Sequence, residues 1–313
     1  MIIEILKAIL FGIVEGITEW LPVSSTGHMI LLNELVSLQV SDDFYNMFEV
    51  VIQFGAILAV VILFWEKIWP FGKKDNACPL HLDDHDAWKK KNKHTFHTRM
   101  AKFINPIGQW VKTDIFKLWF HILVSCIPAA IIGLLFDDVF EKWFYNYQTV
   151  ATMLIIFGIA FIVIETLHKG KNARINSMAE ITYMTAFLIG LFQLIAAIFP
   201  GTSRSGATIV GALLIGVSRT VAAEYTFYLA IPVMFGASLL KMVSFAKKVQ
   251  EGLVFTSDEA IILVVGMVVA FAVSLAVIRF LMGYIKKHDF KVFGWYRIVL
   301  GIVVLIFGFV GFF

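Results

Sequence analysis

The chain has 313 residues, of which 59% are hydrophobic and only 16% charged, against about 25% charged in soluble globular chains. Its mean hydropathy of +0.82 excludes a disordered chain and argues strongly against a soluble enzyme. A net charge of +3 gives no footing for nucleic acid as a partner, and two cysteines 48 positions apart, Cys78 and Cys126, offer no readable disulfide framework.

In chain order, the first apolar segment covers residues 1–21. It has no basic leading region and no A-x-A cleavage site, and Glu15 and Glu19 interrupt it, so it reads as mature protein rather than a leader. It runs into PVSSTGH at 22–28 and resumes as a short apolar piece at 29–36. Three stretches long enough to span follow at 48–65, 118–136 and 150–167. A second broken segment, 181–199, runs into PGTSRSG and resumes at 207–217, and three more spans follow at 225–243, 260–278 and 293–313. The resumed pieces hold about ten residues, too few to cross a hydrocarbon core of roughly 30 Å. They predict re-entrant hairpins, whose irregular turns are tolerated at depth only where protein or a water-filled cavity shields them. The expected fold is an all-α polytopic membrane protein with six full transmembrane helices and two re-entrant helical hairpins.

The two broken segments match each other at an offset of 178, so that Gly12 meets Gly190, Glu15 meets Gln193, Pro22 meets Pro200 and Ser25 meets Ser203. Each half is then one hairpin and three spans: 1–168, with its hairpin at 1–37 and a long loop at 66–117, and 180–313, with its hairpin at 181–217. Three is odd, so the halves enter from opposite sides as an inverted-topology repeat. The segments 66–117, 168–180, 217–224 and 280–292 hold 18 Lys and Arg, and the opposing segments hold 4. The positive-inside rule puts the first group in the cytoplasm and both termini outside. The loop 66–117 contains Cys78, His81, His85, His94 and His97, but their spacing fits no zinc finger and the loop reads as solvated and basic. Trp65, Trp69, Trp119, Trp143 and Trp295 lie near span ends and fit an interfacial aromatic belt.

Charged groups within apolar segments are costly and mark function. Glu15 and Glu19 are spaced i, i+4 and share a helix face that ends at the first turn. Glu49, nearer the outer interface, reads equally well as a structural ion-pair partner. The second turn offers Thr202, Ser203, Ser205 and a guanidinium, Arg204, ahead of a short helix. A helix N-terminus with an arginine is an anion site suited to phosphate. On the same offset Arg204 falls opposite Thr26, so the carboxylates come from one hairpin and the cation from the other, forming one composite site. Two carboxylates would repel a phosphate unless one is protonated or a divalent cation such as Mg²⁺ or Ca²⁺ bridges them, with Glu15 and Glu19 as metal ligands.

EGITEWLPVSSTGH at 15–28 and PGTSRSGAT at 200–208 resemble the two signatures of the undecaprenyl-diphosphate phosphatase family, the bacitracin-resistance proteins of bacterial envelopes. The resemblance covers essentially the whole chain, and only the long polar loop 66–117 departs from it. It implies hydrolysis of a C55 polyprenyl diphosphate to the monophosphate and inorganic phosphate, recycling the carrier lipid for peptidoglycan synthesis. It further implies a divalent cation, a multi-pass protein of the bacterial cytoplasmic membrane, and a site open to the outer face. The catalytic residues expected are Glu15, Glu19, Ser25, His28 and Arg204, with Ser24, Thr26, Gly201, Thr202, Ser203, Ser205 and Thr208 binding the substrate. Ser25 is the expected nucleophile, with a carboxylate or His28 as base; His28 or water as nucleophile stays open, as does a homodimer. The rival class is a polyprenyl-phosphate flippase or transporter on the same inverted repeat.

Overall fold

The computed structural model describes residues 1–72 and 112–311. Cys78, His81, His85, His94 and His97 lie outside the described residues. Among the described residues every regular element is helical. The first half comprises α1 (Ile2–Thr18), α2 (Ser25–Leu35), α3 (Asp42–Leu63), the single turn α4 (Trp65–Ile68), α5 (Thr113–Phe144) and α6 (Tyr147–Leu167). The second comprises a 3₁₀ turn (Met178–Glu180), α7 (Tyr183–Ile198), α8 (Arg204–Ile215), α9 (Arg219–Gln250), α10 (Ser257–Tyr284) and α11 (Lys291–Phe309). Six helices are long and apolar enough to cross a membrane, and they fall on the six predicted spans. At 1.5 Å per residue, the 11 residues of α2 and the 12 of α8 cannot cross one.

Helix starts follow from capping chemistry. Ser41 Oγ accepts the Phe44 N–H at 3.2 Å, Asn146 Oδ1 accepts that of Thr149 at 2.9 Å, and Thr182 Oγ1 that of Thr185 at 3.1 Å. Thr256 and Glu259 form a reciprocal capping box at the start of α10. The two short helices are entered through an unusual backbone. Ser24 before α2 and Ser203 before α8 have φ of 73° and 68°, and are the only non-glycine residues with positive φ among those described. Each still caps its helix, accepting the N–H of Gly27 at 3.4 Å and of Gly206 at 3.1 Å.

The packing crosses between the halves. The first helix of each half lies along a long helix of the other, α1 on α10 and α7 on α5, while α6 lies along α11. Small residues let these backbones close. A Cβ on Gly158 would sit 2.7 Å from the Gly294 carbonyl, and one on Gly294 would sit 2.7 Å from the Gly158 carbonyl. In lipid, where apolar burial gives little drive for helix association, such close approach is the main source of packing energy.

Two buried polar knots complete the frame. Arg297 on α11 is fully buried, and among the described residues no carboxylate pairs with it. Its guanidinium donates instead to backbone carbonyls: Pro22 at 3.3 Å, Gly201 at 3.0 Å and Thr202 at 2.7 Å, with Leu154 at 3.5 Å. One side chain thereby holds both turns. The second knot takes up Arg219, the one cation of the 217–224 segment that the basic bias reads as cytoplasmic loop. Arg219 opens α9 and forks onto the buried Glu165, Nε at 2.9 and 3.1 Å and Nη2 at 2.5 Å, while the Phe290 N–H donates to the same carboxylate at 3.1 Å.

Two stability outcomes follow. Arg219→Ala strands the Glu165 carboxylate and should cost about 3 kcal/mol, the low end for a broken buried pair, because the arginine side chain is 39% exposed. The double variant Arg219→Ala/Glu165→Gln should recover part of that melting temperature in detergent, and failure to recover would leave the pair without an electrostatic role. Arg297→Met leaves the carbonyls of Pro22, Gly201 and Thr202 without their donor, at about 1–3 kcal/mol each if no water replaces it. It should melt lower than Arg297→Lys, which keeps a donor; equal melting of both would remove the carbonyl clamp.

Candidate functional site

The site is built where α1 ends. Glu19 is the C-cap residue of α1 and only 7% exposed. Three groups converge on it. Ser25 Oγ, at the first position of α2, donates to Oε2 at 2.8 Å. Arg204 Nη2, at the first position of α8, donates to Oε1 at 2.5 Å. Ser205 Oγ donates to the Glu19 backbone carbonyl at 3.2 Å. The Arg204–Glu19 pair is mostly buried, with side chains 14% and 8% exposed, so the attraction is weakly screened.

The turns show how the halves correspond. Ser24 and Ser203 occupy the same position by φ and by capping bond, which is an offset of 179 rather than 178. Between Pro200 and Ser203 the second turn holds one more residue than the first holds between Pro22 and Ser24. Beyond the turn Arg204 therefore matches Ser25, not Thr26, and both first-turn side chains reach Glu19. The extra residue is accommodated at Gly201, where φ is +86° and a Cβ would lie 2.4 Å from the Val150 carbonyl. No side chain fits there.

Each remaining predicted residue has a defined place. Thr26 is half-buried on the first turn of α2. Thr202 is fully buried and its hydroxyl has no partner, although its carbonyl holds Arg297. Ser203 Oγ lies 3.1 Å from Ser205 Oγ. Thr208 Oγ1 faces the carbonyls of Arg204 and Ser205 and Thr226 Oγ1, all within α8 and α9. His28 does not touch Ser25. Its Nδ1–H donates to the Ser24 carbonyl at 2.7 Å, and Nε2 lies 2.7 Å from the Tyr296 hydroxyl, with the two rings stacked at 5.6 Å. Because a carbonyl can only accept, the ring proton sits on Nδ1.

Buried polar atoms normally find partners. Among the described residues, the buried side-chain atoms without one are both oxygens of Glu15, Trp20 Nε1, both amide atoms of Gln193, Thr202 Oγ1 and Arg204 Nη1. Every one belongs to α1, α7, the turn that follows either helix, or the first residue of α8. Glu15 has no exposed surface, and the charges acting on it are those of Glu19, Glu49 and Arg204. The orphans include an acidic group, a hydroxyl and one free guanidinium arm, a set that can take a cation on one side and an anion on the other. No group of three or more His, Cys, Asp and Glu residues gathers among those described, so the acidic side chains at hand for a cation are Glu15 and Glu19.

Arg297, Tyr296 and Gln193 were not among the expected site residues. A charge in the middle of the apolar run 293–313 was the signal for Arg297; nothing in the sequence points to Tyr296.

A family model described as "Bacitracin resistance protein BacA" matches residues 8–303. The chain is 60% identical over 306 residues to the undecaprenyl-diphosphatase of Desulfitobacterium hafniense, covering 98% of this chain and 96% of that one. It is 58% identical to undecaprenyl-diphosphatase 1 of Clostridium acetobutylicum, covering 97% of each. Identity to an undecaprenyl-diphosphatase of Enterococcus faecalis is 53%, again over 97% of each chain. The two turns, the carboxylates and the arginine all lie inside the matched region, and the chain belongs to the bacitracin resistance protein BacA family.

Proposed function

We propose that the chain is a membrane phosphatase that hydrolyses undecaprenyl diphosphate to undecaprenyl phosphate and inorganic phosphate. The observation that carries the reading is the confinement of the orphaned buried polar atoms to the two hairpins; the names of the relatives supply the substrate. Ser25 Oγ attacks the terminal phosphorus as its proton passes to Glu19 Oε2, 2.8 Å away. The bond to the bridging oxygen breaks, undecaprenyl phosphate leaves, and water then cleaves the phosphoserine to release phosphate. Glu19 is favoured over His28 as base because His28 is occupied by Ser24 and Tyr296. Arg204 keeps one nitrogen on Glu19 and turns Nη1 to a phosphate oxygen, with Thr202 Oγ1 and the amides of α2 and α8 as further donors. Ser24, Ser203, Ser205 and Thr208 act by holding the two turns. A divalent cation held by Glu15 and Glu19 would neutralise charge on the diphosphate and the leaving group.

The site sits in an inverted-topology repeat whose two short hairpins enter from opposite faces, in the cytoplasmic membrane, with substrate access from outside. Contacts between segments assigned to one side support this. Lys7 Nζ reaches the Ser37 carbonyl at 2.7 Å and Lys248 reaches Asp43 at 2.5 Å on the outer side. Lys67 reaches Glu224 at 2.7 Å on the inner side, where Arg219 also meets Glu165.

Phosphate release from purified protein given undecaprenyl diphosphate tests the reading, since a protein that only moves the lipid releases none. Glu19→Gln removes the acceptor for Ser25 and should lower turnover about 10²–10⁴-fold at unchanged yield of folded protein. Arg204→Lys should stay about 10²-fold impaired, because one ammonium cannot bridge Glu19 and a phosphate oxygen; near-normal turnover would mean a point charge suffices. For the cation, Mg²⁺ or Ca²⁺ should raise the melting temperature of the substrate-free protein, and Glu15→Gln should abolish that shift and raise the cation concentration needed for activity about tenfold. An undiminished shift would place the cation elsewhere.

A further inference from the structure

A second polar concavity lies away from the hairpin turns. It has a volume of about 580 Å³ and is enclosed by the end of α6, the 168–174 stretch, the α8–α9 connection and the end of α10. Its floor is ordered by backbone bonds: the Arg174 and Ile175 N–H groups donate to the Gly216 carbonyl at 2.8 and 3.1 Å, and Ser218 N–H to the Ile175 carbonyl at 2.8 Å. Lys171, Arg174 and Lys286 line it, and none of their side chains makes a hydrogen bond or ion pair among the described residues. The one carboxylate in the wall, Glu165, is already matched by Arg219. The rest of the lining mixes polar His168, Asn172, Ser218 and Thr220 with apolar Ile164, Leu213, Leu214 and Ile285, and of these apolar residues Leu214 is the exposed one, at 49%.

Three unmatched cations beside an exposed leucine suit an amphiphile with an anionic head better than a free ion. Clusters of Lys and Arg between transmembrane helices on the cytoplasmic side bind anionic lipid headgroups in this way. We propose that this cavity holds the phosphate-bearing headgroup of an anionic phospholipid of the cytoplasmic leaflet, with Lys171, Arg174 and Lys286 on the phosphate and an acyl chain along Leu214. The proposal rests on the inner-side assignment of the 168–180 and 280–292 segments, not on the hydrolytic chemistry.

The test is binding of dioctanoyl phosphatidylglycerol to the full chain in neutral detergent, with dioctanoyl phosphatidylcholine and inorganic phosphate as the other probes. It is run in Arg204→Ala protein, so that the catalytic site contributes little anion binding. Saturable binding of phosphatidylglycerol, weakened on the order of 100-fold in Lys171→Ala/Arg174→Ala/Lys286→Ala at roughly fivefold per cation, supports the site. Unchanged binding in the triple variant overturns it. Inorganic phosphate binding with the same loss in the triple variant overturns the lipid assignment in favour of a free-anion site. In the Arg204 background the same triple variant should release phosphate from undecaprenyl diphosphate normally, which keeps failure here distinct from failure of the hydrolytic reading.

Discussion

A guanidinium with no counterion among the described residues, buried among helices, ties the two halves of the molecule together. Arg297 donates to carbonyls of the first turn, the second turn and α6 at once, and its charge is tolerated because several carbonyl dipoles point at it and the Phe157 ring lies 5.8 Å away. Turns of this kind expose unpaired backbone groups, which lipid cannot satisfy. With Arg297 in place the carbonyls of Pro22, Gly201 and Thr202 are satisfied, and both turns are held against α11. The N-termini of α2 and α8 consequently meet around one carboxylate.

That meeting explains why a duplicated arrangement has one site. Matched positions on the two halves have taken complementary roles: Ser25 and Arg204 both open a short helix and both reach Glu19, one as a hydroxyl and the other as a cation. Glu15 and Gln193 likewise occupy corresponding places, both buried and both without partners. A symmetric pair of glutamates would put two uncompensated charges at that depth, and an amide in the second half keeps hydrogen-bonding capacity without the charge.

The six spans were legible because length and apolar composition decide a transmembrane helix almost alone, and the hairpin turns because Pro, Gly and Ser interrupt apolar runs at matching positions. Glu15, Glu19 and Arg204 stood out as charges in such runs. The exact register of the turns did not. Ser25 and Ser203 look equivalent by spacing, but the residue absorbed at Gly201 moves the match to Ser24 and Ser203, and only backbone dihedrals reveal that. The base for Ser25 was equally hidden: His28 is three residues away and Glu19 six, yet the turn brings Glu19 to the hydroxyl and sends His28 to Tyr296 on α11. Counting Arg219 among the basic residues of 217–224 does not reveal its role, since its partner Glu165 lies 54 positions earlier.

Ser24 and Ser203 keep a backbone conformation that serine rarely adopts, at about 1–3 kcal/mol each. The distortion sets the starts of α2 and α8 beside Glu19 while the chain is folding. A diphosphate entering that space meets dipoles already oriented, so little rearrangement accompanies the movement of charge during phosphoryl transfer. The reorganisation that water would undergo around such a group has been shifted from the reaction to the synthesis of the protein, where it occurs once per molecule instead of once per turnover.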